Sequence, residues 1–308
     1  MTEHDSALMA VSSHLRMLDA VGPRMGQAVR RTFDMLLDGQ HTGRYRWEQL
    51  HKTEKTHCGT LIEINLQREF GFADGEVLDY SIAGHEVDCK YSQKLAEWMI
   101  PPEAVGHLVL GLWASDKKGQ WSAGLVRASE ENLNPGRNRD VKRTLSRTGR
   151  AAIHWLFENE PLKKNILLDL PTHVTDIIFR STSGQTRINE LFRHVQGLPI
   201  SRNTVATVAM QEDYMKRVRS NGGARTVLRS EGIVIFGQYQ NHVDAAIALV
   251  LPAYGRGDSM SVRLARKRPH HAGLPSITLD GERWVVAERD DPPEMAPLLP
   301  DIGPLPKS

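Results

Sequence analysis

The stretch "VLDYSIAGHEVDCKYS", residues 77–92, decides how the first half of this chain is read. Polar and apolar residues alternate on both sides of the turn-like Ala83-Gly84-His85. That period of two predicts a pair of strands over 77–82 and 86–92. Alternate side chains on a strand share a face, roughly 6–7 Å apart. Asp88 and Lys90 therefore point one way, while Val87 and Cys89 turn toward a core. Asp79, on the neighbouring strand, can approach Asp88 from across the pair. Two close carboxylates repel unless a cation lies between them. Mg²⁺ suits such a place, because it takes oxygen ligands and is usually held by one or two carboxylates. A lysine beside that cation can orient or activate a water, stabilise developing charge, or act as a base. The same spacing equally describes a solvated hairpin with Asp/Lys pairs, since D-x-K triplets are common. Cys89 reads as a small buried residue. His85 reads as an exposed turn residue, because no second His or Cys has ligand spacing to it.

Around this stretch the chain has the length for two domains, at 308 residues. Its 40% hydrophobic and 25% charged composition provides enough apolar mass for real cores. No apolar run of about 18 residues exists, so no membrane span is expected. The N-terminus, "MTEHDSALMA", lacks the order of a signal peptide. Two cysteines, Cys58 and Cys89, are too few for a disulfide framework, and a cytoplasmic protein is expected. The net charge of +2 does not by itself announce a nucleic-acid partner. Basic residues nevertheless bunch over 136–150, 214–229 and 263–271, as phosphate contacts or as solvated helix faces.

The fold class predicted is mixed α/β. Residues 6–38 carry helical spacing, broken at Gly22-Pro23, and 37–44 read as a loop. In 60–72, Leu61, Ile62, Ile64 and Leu66 fit helix and strand templates about equally, with helix preferred. The apolar run 106–115 predicts a strand buried on both faces, paired with 120–129. Residues 139–157 predict a helix with Val141, Leu145, Ile153, Leu156 and Phe157 as its stripe. The domains expected are 1–165, a mixed sheet flanked by helices, and 172–288, with 289–308 an acidic proline-rich tail. Within the second, Ile188, Leu191, Phe192 and Val195 form one helical face, Gly197-Leu198-Pro199 a turn, and Ser201 caps another helix. Helix, glycine-containing turn, helix is the helix-turn-helix pattern, and strands over 232–239 and 284–288 offer a wing beside it. Arg187, Arg193 and Arg202 favour DNA contact there; two packed helices without DNA are the alternative.

Asp79 followed by Asp88-Cys89-Lys90 resembles the PD-(D/E)XK nuclease motif. With "LLDGQHTGRY" (36–45), "VDCKYSQ" (87–93), "EWMIPPE" (97–103) and "PGRNRDVKRTL" (135–145), in that order, the chain resembles the NaeI family of type II restriction endonucleases to about residue 270. Leu78 stands where the generic motif has proline, and the gap from Asp79 to Asp88 is short. The resemblance implies a restriction-endonuclease-like first domain and a second, helix-turn-helix domain similar to that of the catabolite activator protein. It implies Mg²⁺ as cofactor, with Glu63, Asp79, Asp88 and the Cys89 carbonyl as metal ligands and Lys90 serving the attacking water. It implies hydrolysis of double-stranded DNA to 5′-phosphate and 3′-hydroxyl ends at a GCCGGC-type site. It implies a homodimer that takes two DNA copies, one as effector, and a cognate DNA methyltransferase encoded alongside. Arg137, Arg139, Lys142 and Arg143 are expected on the cleaved duplex; Ser201, Arg202, Asn203, Thr204, Lys216 and Arg217 on the second. A rival reading is a non-catalytic helix-turn-helix regulator; another is a mismatch- or structure-specific nuclease. "LLDGQHTGRY" also resembles the K-x-D-G motif of DNA ligases, but Leu36 replaces the nucleotidylated lysine, which excludes ligase chemistry.

Overall fold

The computed structural model describes residues 5–136, 138–299 and 302–303. The chain divides into one unit made of 1–37 and 46–164 and a second made of 38–45 and 165–308.

The first unit opens on helices. Asp5 caps α1 (Ser6–Leu18), its Oδ1 accepting from Leu8 N at 3.0 Å. Gly22 turns the chain at φ 84°, and Pro23 starts α2 (Pro23–Leu37). The short α3 (Gly39–Thr42) groups with the second unit. α4 (Lys52–Phe70) covers the segment that fitted both helix and strand. A His51–Glu54 capping box begins it and left-handed Gly71 ends it. Its buried Cys58, Ile62 and Leu66 recur every fourth residue, as one helical face does.

The sheet follows: β1 (Ala73–Asp74), β2 (Tyr80–Ile82), β3 (His85–Ser92), β4 (Leu108–Ser115) and β5 (Gln120–Arg127), then α5 (Arg147–Ala151) and β6 (His154–Pro161). The six strands lie in sequence order. Only β3 and β4 pair in parallel, so the sheet is mixed. Ala83 and Gly84, at φ 51° and 78°, form the two-residue turn whose twist suits a hairpin. β4 is buried throughout except at Ser115, as its apolar run predicts. Leu108, Leu110 and Leu112 join the core made with α2 and α4. Val109 joins a separate core on the other face with Trp98 and Ile100. Gly111, opposite Lys90, lies under Trp98, where any side chain would overlap the indole.

The helix expected over 139–157 does not form. Val141 is left-handed at φ 62° and exposed, Arg143 bridges to Ile100, and Leu145 bridges to Leu133. Ser146 caps only the five-residue α5, and 154–161 pair with the edge of β5 instead. Satisfying a buried strand edge outweighs a helical spacing of apolar residues.

The second unit contains α6 (Thr172–Phe179), α7 (Gly184–His194), α8 (Arg202–Ala209), α9 (Ala224–Val227), β7 (Ile233–Phe236), α10 (Gln240–Ala248), β8 (Met260–Arg266), β9 (Ile277–Leu279) and β10 (Glu282–Val286). The strands form an antiparallel sheet in the order β7-β8-β10-β9. Ser183 and Ser201 cap α7 and α8. Gln196 and Ile200, in the connection between them, bridge to Ser261 and Ser259, which fixes the turn against β8.

Three sequence expectations change here. Residues 38–45 belong with this unit, because Gly39 packs so closely on Thr207 of α8 that a side chain would overlap it. The tail beyond 288 is partly built in: Ala296 is buried and exchanges bonds with Arg229. Residues 300, 301 and 304–308 of that tail lie outside the described residues. Arg187 is not a surface cation. It is buried, and its guanidinium donates to the carbonyls of Ser181, Thr182, Val208 and Ala209 at 2.6–2.9 Å.

Arg187→Met keeps the volume but orphans the buried carbonyls of Val208 and Ala209 and frees those of Ser181 and Thr182. It is expected to destabilise the second unit by about 3 kcal/mol or more. Denaturant unfolding measures this; a loss below about 1 kcal/mol would show that α7 and α8 do not depend on the clamp.

Candidate active site

The hairpin register sets Tyr80 against Val87, which brings Asp79, just before β2, beside Asp88 on β3. Lys90 Nζ lies 2.6 Å from Asp88 Oδ1, 2.9 Å from the Cys89 carbonyl and 3.6 Å from Asp79 Oδ2. Asp79 Oδ2 also accepts from the Cys89 backbone N–H at 2.6 Å. The ammonium thus stands against the same oxygens that sequence reasoning offered to a cation. Val87 and Cys89 are buried in the helix-side core, as the alternation predicts.

The Asp88 side chain is only 4% exposed, and its Oδ2 has no hydrogen-bond partner among the described residues. Burial pushes its carboxyl up to about 6, with the neighbouring Asp79 adding to the rise against the attraction of Lys90. Burial opposes the charge on Lys90, but the facing carboxylates outweigh it and hold the amine above its usual value. Glu63, on α4, is also held above the ordinary carboxylate range, first by burial and then by Asp79. Tyr80 ties that helix to the hairpin, its hydroxyl donating to the Glu63 carbonyl at 2.7 Å.

These groups suit a hard divalent cation: carboxylates and a backbone carbonyl, one oxygen of them buried without a partner. Glu63, Asp79 and Asp88 do not, however, close to within 4.8 Å as a trio. Among the described residues only His270, His271 and Asp291 do so. That group is a clamp rather than a metal centre. His271 Nδ1 accepts from Arg268 N at 3.0 Å, so its Nε2 carries the proton that bonds Asp291. No lone pair is left on that ring for a metal.

Sequence reasoning missed Glu86. Its carboxylate accepts from three successive backbone N–H groups, Glu76 at 2.8 Å, Val77 at 3.1 Å and Leu78 at 2.8 Å. These bonds hold its carboxyl below the usual range. They also fix the loop that delivers Asp79. Gly75 permits that loop, since a side chain there would strike the Leu78 carbonyl. Glu86 lies in phase with Asp88 and Lys90 on β3, and that was its only signal in the sequence.

The expected DNA-contacting residues divide. Arg143 is buried, paired with Glu130 at 2.7 Å and bonded to the Asn134 carbonyl, so it braces its own loop. Arg139 is exposed and Lys142 partly so; Arg137 lies outside the described residues. Thr204 is fully buried, with its hydroxyl between Ser201 and Asn165. Ser201 serves as the α8 cap. Every residue from Thr204 to Ala209 is buried, which leaves only Arg202 and Asn203 of α8 at the surface. Arg202 stacks over Tyr214 and donates to its hydroxyl. Lys216 and Arg217 are drawn toward Asp213, and Arg217 also bonds Gln211. A surface for a second duplex would therefore draw on Arg202, Asn203, Lys216 and Arg217, not on Ser201 or Thr204.

A mixed sheet with a carboxylate–lysine cluster on its hairpin carries groups suited to hydrolysing a phosphodiester. The family model described as restriction endonuclease NaeI matches residues 9–295. The Type II restriction enzyme NaeI of Lentzea aerocolonigenes is 47% identical over 307 residues, spanning 97% of this chain and 96% of that protein. The chain belongs to the NaeI family of restriction endonucleases, and is a type II site-specific deoxyribonuclease. Among the described residues no helix is long and apolar enough to cross a membrane.

Glu86→Gln removes the charge that gathers the loop before Asp79. DNA cleavage is expected to slow by ~10–100-fold, the usual scale for a group that orients a ligand, with duplex affinity retained. Single-turnover cleavage beside a binding titration measures both; an unchanged rate would remove Glu86 from the account.

Proposed function

We propose that this deoxyribonuclease is magnesium-dependent and of the PD-(D/E)XK type, with Asp79, Asp88 and the Cys89 carbonyl holding the metal and Glu63 assisting. The observation that carries this reading is the buried, unpartnered Oδ2 of Asp88. An isolated buried carboxylate oxygen costs free energy unless something pairs with it. The oxygen-only donor set favours Mg²⁺ over softer metals. Bound magnesium supplies positive charge at the scissile phosphate and lowers the pKa of a coordinated water.

The chain's own residues do the rest. Lys90 is an ammonium whose charge the carboxylates sustain, which favours donation to a phosphate oxygen over proton abstraction. Asp79 keeps Cys89 in register through the backbone N–H and so fixes where its carbonyl points. The raised Glu63 carboxyl is suited to take up a proton near the attacking water. Exposed Arg139 and partly exposed Lys142 hold the cleaved duplex by its phosphates. The products are 5′-phosphate and 3′-hydroxyl ends at a GCCGGC-type site.

The same reading makes the enzyme a cytoplasmic homodimer, paired genetically with a DNA methyltransferase that protects the host's own sites. Its second unit presents α7 and α8 as a helix-turn-helix that binds another DNA copy as effector. The glycine-containing turn and the two capped helices support this. The cover over α8 confines base contact to its first residues.

Plasmid digestion with and without Mg²⁺, followed by sequencing of the ends, tests the reading. Cleavage at one defined site, only with the metal, is expected. Asp88→Ala is expected to lose at least ~10²-fold in rate, the scale of removing one electrostatic stabiliser, while still binding DNA. A short duplex carrying the site is expected to speed cleavage of a single-site plasmid. Wild-type cutting by Asp88→Ala would refute the site; nicking only at mismatches or junctions would refute the sequence specificity.

A further inference from the structure

The second unit contains a cavity of about 680 Å³ that shares only Arg202 with the surface proposed for a second duplex. Its size falls in the range of small-molecule sites and far exceeds the need of a lone phosphate. Three arginines line it: Arg202, Arg219 and Arg225. Arg219 is exposed, and Arg225 is half-buried with its guanidinium over the Tyr239 ring, 5.8 Å from the centroid. Met215 and Val218 add an apolar surface. The acidic group on the wall, among the described residues, is the buried Asp258.

The wall is held in place before any ligand arrives. Gly237 donates its N–H to His242 Nδ1 at 3.0 Å, and its carbonyl accepts from the Tyr254 hydroxyl at 3.0 Å. The Arg225 guanidinium lies against Gly237, and a side chain there would push it aside. Asp258 is fixed in turn, its Oδ2 accepting from Gly255 N at 2.9 Å.

We propose that this cavity binds a single unpaired nucleotide. The arginines take the phosphate, for which a guanidinium is the best-matched donor. Met215 and the Arg225 guanidinium plane, which Tyr239 backs, take the face of the base, as planar side chains do for unstacked bases. Asp258 offers an acceptor to a base amino group. The mixed lining of cations, an acceptor and apolar carbon matches the mixed surface of a nucleotide. The nucleotide has two possible sources, a free mononucleotide or one extruded from a bound duplex.

Two measurements on the full-length protein decide it. Calorimetric titration with the four deoxynucleoside 5′-monophosphates, and with inorganic phosphate as control, contains no duplex and so does not depend on the DNA reading of this unit. Saturable binding of at least one nucleotide is expected, with phosphate alone tenfold weaker or worse. Arg219→Ala, an exposed position chosen to leave the fold intact, is expected to weaken it about tenfold, and Arg225→Ala by at least as much. The second measurement uses site duplexes with 2-aminopurine at successive positions. Brightening on binding that Arg219→Ala removes, with the duplex still bound, makes the extruded nucleotide the source; nucleotide binding without brightening makes it the free one. Neither binding nor brightening overturns the proposal, as does binding that both substitutions leave unchanged. Phosphate binding as tightly as any nucleotide overturns it too. None of these outcomes bears on cleavage at Asp88.

Discussion

Asp88 is a carboxylate kept almost wholly out of water, with one oxygen on Lys90 and the other on nothing. Much of the first unit can be understood as what is required to hold it there. Burial of a charge is costly, and here it moves the carboxyl up to about 6 rather than being fully compensated. Lys90 offsets part of the cost and occupies the position facing Asp88, Asp79 and the Cys89 carbonyl. The ammonium keeps the two neighbouring carboxylates from repelling each other apart. The carboxylates in turn keep Lys90 charged.

The surrounding fold limits movement of these groups. β3 is held on one side by the tight turn to β2 and on the other by parallel pairing with the buried β4. Beneath Lys90's neighbour Gly111, Trp98 is anchored through its Nε1–H to the Leu112 carbonyl at 2.8 Å. Tyr80 secures α4 and with it Glu63, while Glu86 gathers the loop that ends in Asp79. The cluster is thus fixed by backbone hydrogen bonds on three elements. A site set on strands and a braced loop reaches reproducible geometry with little reorganisation, which electrostatic catalysis requires.

The β2–β3 hairpin was legible because a strand writes its facing in a period of two, so Asp88 and Lys90 separate from Val87 and Cys89 on sight. Other parts were not. Leu61, Ile62, Ile64 and Leu66 fit both periods, and only the His51–Glu54 cap and the buried Cys58, Ile62 and Leu66 face settle α4 as a helix. Over 139–157 the apolar spacing misled, because the open edge of β5 recruits 154–161 whatever their helical pattern. Arg143 and Arg187 belong to runs that look like phosphate contacts. A sequence shows their charge but not the carbonyls that each one satisfies. Glu86 stayed hidden for the converse reason: its partners are backbone N–H groups, which have no signature in the sequence.

Cation binding is the most direct test of whether the unpartnered Asp88 oxygen is a ligand position. The measurement is calorimetric titration of the DNA-free protein with Mg²⁺ between pH 5 and 8, in buffers of different ionisation heat. Below the raised value of about 6 the carboxyl carries a proton that the cation must displace. Affinity is therefore expected to climb by up to tenfold per pH unit toward that value, with about one proton released, and to level off above it. Asp88→Asn is expected to lose both the binding and the proton release. Affinity that ignores pH across that range, or that survives in Asp88→Asn, would contradict the account.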